Sequence, residues 1–66
     1  MTADSLCQLT TSWAKNKGVA NSLCTKLAKG NYDAYANEVR AQTGTQPGKS
    51  FTPEQGALLI RLVGQL

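Results

Sequence analysis

Residues 18–31 read GVANSLCTKLAKGN. Within this stretch Val19, Leu23 and Leu27 recur at steps of four, the period of one face of an α-helix, and Lys29 with Gly30 ends the run as a helix C-terminus prefers. A short helix with one apolar stripe must bury that stripe against another element, so the rest of the chain should supply matching stripes. Cys24 lies on the flank of the stripe, and Cys7 is the only other cysteine.

Toward the N-terminus, Leu6, Leu9 and Trp13 recur at i, i+3 and i+7, which predicts a first helix capped by Thr2 or Asp4. Lys15, Asn16, Lys17 and Gly18 are expected to end it, since orphan carbonyls attract cations and glycine accepts the left-handed cap. The helix inside residues 18–31 is then short. A third helix is expected from an Asn31 cap to Gly44, with Tyr32, Tyr35, Ala36 and Val39 on one face and Asp33, Glu38 and Arg40 elsewhere.

Residues 44–50, GTQPGKS, hold two glycines and a proline without periodicity and read as a loop. The last helix has the strongest start signal: Thr52 as cap, Pro53 at the first position, Glu54 in the first turn and Gln55 in the capping-box place. Leu58, Leu59, Leu62, Val63 and Leu66 form its expected apolar face, while Ile60 and Arg61 fall off it. Phe51 stands in the staple position before the cap, but its usual partner position is Gly56, so Phe51 is expected to pack on another helix. Together these segments predict an all-α fold, a compact bundle of four short helices in one domain spanning residues 1–66.

At 66 residues the chain is small. A domain of this size buries roughly 60% of the surface its unfolded chain exposes, so its core is marginal and a staple, a metal or a partner is usually needed. With no histidine and only two cysteines, the four ligands of a structural zinc site are missing. No cofactor is expected. A disulfide closing a loop of about seventeen residues would contribute on the order of 3 kcal/mol and would favour an oxidising, extracytoplasmic location. Cys7 and Cys24 lie on flanks that meet if the first two stripes pack together, which permits a bridge; two buried, reduced cysteines remain the alternative from the residues alone.

Seven Lys and Arg against four Asp and Glu leave a net charge of +3, without a run of like charges. Lys15, Lys17, Lys26 and Lys29 read as solvated helix ends rather than as a nucleic-acid footprint. No segment approaches the about 18 apolar residues of a membrane span, and the start MTADSLCQL lacks the charged and apolar regions of a signal peptide. An extracellular role therefore implies a signal on a parent or precursor.

The absence of histidine removes the commonest general base, and the four carboxylates show no convergent pair. Ser5, Ser12, Ser22 and Ser50 have no visible activating partner, and the glycines form no phosphate-binding spacing. No catalytic residue is assigned. Trp13, Tyr32 and Tyr35 read first as core residues, with a stacking platform for a sugar ring as the alternative, and Tyr32, Tyr35, Lys26 and Lys29 form the possible ligand-contact surface. A helix-turn-helix DNA-binding protein is the competing reading, with Ala20 to Lys29 as recognition helix and Asn21, Ser22, Thr25, Lys26 and Lys29 facing outward, but with no arginine there.

Read as a whole, GVANSLCTKL at 18–27, YANEVRAQTG at 35–44 and GKSFTPEQGALLIRL at 48–62 resemble the small helical, FIMAH-type domain found near the C-terminus of many secreted bacterial enzymes, including actinobacterial hydrolases. The resemblance spans nearly the whole chain and departs from the family pattern in a shorter segment between Leu27 and Tyr32 and a longer TGTQPGKS link. It implies a non-catalytic accessory module of an extracellular hydrolase, acting in interaction, attachment or spacing. The implied partners are the parent hydrolase domain or a cell-surface protein or polymer, with no nucleic acid and the module itself a monomer. It also implies cysteines at the places of Cys7 and Cys24, and so supports their pairing as a staple.

Overall fold

A computed structural model describes residues 1–66. Four helices follow one another: α1 (Ala3–Trp13), α2 (Lys17–Ala28), α3 (Tyr32–Ala41) and α4 (Pro53–Val63). The only extended pairing is a single parallel bridge between Thr43 and Phe51. Each helix packs on the next and α4 returns to α1, so α1 and α3 occupy opposite corners of a closed bundle.

Caps decide where the helices begin. Thr2, not Asp4, caps α1: its Oγ1 accepts from the Ser5 N–H at 3.1 Å, and Asp4 sits in the first turn, where its charge suits the helix dipole. The expected end of α1 is corrected. The helix stops at Trp13 with no cation in its last turn, because Asn16 serves instead as the N-cap of α2. Asn16 Oδ1 accepts from the N–H groups of Gly18 at 2.8 Å and Val19 at 3.3 Å, which draws Lys17 and Gly18 into the next helix. As a result α2, expected to be short, is the longest of the four at 12 residues.

Gly30 follows α2 at φ 73°, the left-handed position a glycine tolerates. Asn31 precedes α3 but makes no side-chain cap, and the helix ends at Ala41, short of Gly44. The start of α4 is as the sequence reads. Thr52 Oγ1 accepts from Gln55 N–H at 3.2 Å, and Gln55 Oε1 accepts from Thr52 N–H at 3.1 Å.

The core joins Leu6, Leu23, Leu27, Tyr35, Val39, Phe51, Leu59 and Val63. Phe51 is fully buried there, anchored by backbone bonds from its N–H to Gln42 O and from Gly44 N–H to its own carbonyl. Three expected stripes are re-centred. In α1 the fully buried positions are Leu6 and Thr10, four apart, with Leu9 and Trp13 half-buried. In α2 Ala20 replaces Val19 as the buried residue. In α4 the stripe runs Gly56, Leu59, Val63; Ile60 is half-buried against the core, while Leu58 and Leu66 are 39% and 37% exposed.

Gly56 explains the turn of α4. It is buried just past the end of α3, where a Cβ would overlap the Thr43 side chain, so only glycine lets that side chain sit so close to α4. The helix rotates to put this position inward and carries Leu58 out to solvent.

Candidate functional site

Cys7 and Cys24 are joined in a disulfide, with Cα atoms 5.0 Å apart, inside the range that a disulfide spans. No free cysteine remains, so the reduced alternative is set aside. Because α1 and α2 run antiparallel, the crosslink lies near the N-terminal end of α1 and the C-terminal half of α2. Beyond it toward that end, Ala3 and Ala28 are small.

There a groove of about 630 Å³ opens between the two helices, lined by Ala3, Asp4 and Cys7 from α1 and by Asn21, Cys24, Thr25, Leu27 and Ala28 from α2. This volume falls in the range of roughly 300–1,000 Å³ found for ligand clefts. Its floor is apolar, formed by Ala3, Cys7, Cys24, Leu27 and Ala28. Three polar side chains stand at its edge. The Thr25 hydroxyl donates to the Asn21 carbonyl at 2.9 Å, so toward the groove its oxygen is left as an acceptor. Asp4 makes no ion pair or side-chain hydrogen bond and is the only charged residue in the lining.

The contact surface expected from Tyr32, Tyr35, Lys26 and Lys29 does not assemble. Tyr35 is fully buried and cannot offer a face to a ligand. Its hydroxyl lies 2.7 Å from Thr10 Oγ1 on the opposite corner of the bundle. Thr10 Oγ1 itself donates to Leu6 O at 2.7 Å, so its one proton is used and Tyr35 is the donor in a chain that runs Tyr35 to Thr10 to the Leu6 carbonyl. Burial raises the ionisation of this phenol above its ordinary value of 10.0, and the Thr10 hydroxyl, which can turn to donate to a phenolate, opposes part of the rise. Tyr32 is half-buried against the core.

Lys26 is not a free helix-end cation. Its Nζ lies 2.7 Å from Glu38 Oε1 and 2.8 Å from Ser22 Oγ, while the Ser22 hydroxyl donates to the same Glu38 oxygen at 2.9 Å. Ser22 and Lys26, expected to face outward on a recognition helix, therefore point at α3. Asn21, Thr25 and Lys29 remain exposed. The cluster gives Ser22 a neighbouring carboxylate that the sequence did not reveal, but the carboxylate is already matched to an ammonium, and the three groups tie α2 to α3.

No three Cys, Asp or Glu side chains converge as a metal site, and no helix is long and apolar enough to cross a membrane. The groove residues missed by sequence reasoning are Asp4, Asn21 and Thr25 at the edge and Ala28 in the floor. A signal was present: Asn21, Cys24, Thr25 and Ala28 share one helical stripe, as do Ala3 and Cys7, and both stripes pair small side chains with the cysteines.

These features define a small helical bundle stapled by one disulfide, with an acidic-edged groove beside the staple. Compared with protein-family models, with curated proteins and with solved structures, the chain matches none.

Proposed function

We propose that this chain is a non-catalytic accessory module of an exported bacterial protein, a hydrolase by its resemblance to the FIMAH-type domains, and that it acts in interaction or attachment. The observation that carries the reading is the position of the groove. Its walls are fixed by a covalent crosslink, its lining is mainly apolar, and it contains no nucleophile paired with a base. Such a surface is suited to holding a partner, which supports a role in binding. The disulfide supports an oxidising compartment, since such bonds persist chiefly outside the reducing cytoplasm.

The test compares partners directly. The oxidised protein is passed over immobilised duplex DNA, purified bacterial cell wall, and a matrix bearing extracellular proteins. Retention on cell wall or protein is expected. Retention on DNA alone, falling steeply with salt as phosphate contacts require, would overturn the reading in favour of a DNA-binding role. Protein isolated from its native host should have a mass two hydrogens below the reduced formula, as the crosslink requires.

A further inference from the structure

We propose that the groove between α1 and α2 receives a peptide segment in which a cationic side chain stands beside an aliphatic one. The inference rests on the reading of the chain as an interaction module and names the kind of partner its groove fits. Three observations converge on it.

The floor, made of Ala3, Cys7, Cys24, Leu27 and Ala28, offers apolar contact without any aromatic face, so it suits an aliphatic side chain and gives a sugar ring no stacking platform. The side chains of the edge are short of donors. Asp4 only accepts, Thr25 has spent its proton on the Asn21 carbonyl, and Asn21 alone offers an N–H from its side chain. An occupant therefore meets mainly side-chain acceptors, which backbone N–H groups and a guanidinium or ammonium match.

Charge completes the match. In a chain of net charge +3, the groove has one charge, the unpaired Asp4 carboxylate, and no cation in its lining. Ala3 and Asp4 open α1 and Ala28 closes α2 in the same groove, so the two opposed helix ends offset each other and the remaining field is that of the Asp4 carboxylate. Two lysines adjoin the lining in sequence: Lys26 is paired with Glu38, while Lys29 is exposed, follows Ala28 directly and makes no ion pair. It competes weakly with the occupant.

The experiment follows backbone amide signals of the intact, oxidised, ¹⁵N-labelled protein during titration with two capped peptides, acetyl-Ala-Leu-Arg-Ala-amide and its glutamine counterpart acetyl-Ala-Leu-Gln-Ala-amide. The arginine peptide should shift the signals of Asp4, Cys7, Asn21, Thr25 and Ala28, and should bind about two- to fivefold more tightly than the glutamine peptide, the size of an exposed charge pair. Asp4→Asn should erase that preference, and Lys29→Gln should widen it. Ala28→Leu, at an exposed position that tolerates the larger side chain, should fill the groove and abolish both titrations.

Equal binding of the two peptides, or no shift at millimolar peptide, would overturn the proposal. So would shifts confined to another face, or concentration-dependent shifts of the groove signals in the protein alone, which would mean that a second copy fills it. The interaction reading itself fails separately, through exclusive retention on DNA, so the two failures are distinguishable.

Discussion

Between α1 and α2 the closest link is covalent, a disulfide with its Cα atoms 5.0 Å apart, and beside Leu27 the groove next to it is lined by small or polar side chains, Ala3, Asp4, Asn21, Thr25 and Ala28. Between α3 and α4 no covalent link exists, and the closest approach is steric, with Gly56 seated on Thr43 and a capping box fixing the start of α4. The first pair buries Leu6, Leu23 and Leu27 on its core side and leaves an open groove beside the crosslink; the second buries Val39, Phe51, Leu59 and Val63. A crosslink can hold helices together over unfilled space, whereas packing can do so only by filling it. That is why the candidate binding surface sits on the stapled side.

Breaking the staple tests this contrast most severely. Replacing both cysteines, Cys7→Ala with Cys24→Ala, should cost on the order of 3 kcal/mol in urea-induced unfolding, since the loop entropy of the unfolded chain is restored. The loss should be accompanied by faster amide exchange near the groove. An unchanged unfolding midpoint would mean that the α1–α2 pair is held by its side chains after all.

Gly56→Ala attacks the other pair. The new methyl overlaps the Thr43 side chain, so a loss of about 1–3 kcal/mol is expected from overpacking, even though alanine is the better helix former. Thr43→Gly in the same chain removes the obstructing atoms, and the double variant should be less destabilised than the sum of the single ones. Strict additivity would show that the close approach is not what limits position 56.

The diagonal Tyr35–Thr10 contact spans both pairs. Tyr35→Phe should cost about 0.5–1.5 kcal/mol at neutral pH, the size of one hydrogen bond. The pH dependence has a definite sign. Because the folded-state ionisation of Tyr35 is raised, the wild type keeps its full advantage over Tyr35→Phe below pH about 10 and loses it as pH rises through the folded value. Thermal unfolding of both proteins across that interval checks it.

Much of this was legible in the sequence, where the signal was local. The Thr52 capping box needs only residues 52–55, and it reads correctly. Gly30 after α2 is equally local. What failed depended on competition or on distance. Asn16 and Gly18 give opposing signals two residues apart, and the choice falls to whichever backbone N–H groups lack a partner. The burial of Thr10 depends on a tyrosine 25 positions later, and the outward turn of Leu58 on Thr43, which lies on no shared helix. The groove was missed because small residues carry no hydropathy signal; their importance comes from what they fail to fill.

The seam between the two pairs gives the mildest test. Lys26 and Glu38 join α2 to α3 with their side chains 30% and 22% exposed, and Ser22 bridges them. Glu38→Gln keeps the shape and removes the charge, so the expected loss is only about 0.2–1 kcal/mol. Salt identifies its origin. The wild type should lose this increment as ionic strength rises and the pair is screened, while the variant stays flat, and neither Gly56→Ala nor the cysteine variant should change its deficit with salt. A Glu38→Gln deficit that is independent of salt would assign the seam to packing and hydrogen bonding, and would make it continuous with the α3–α4 pair rather than a separate electrostatic join.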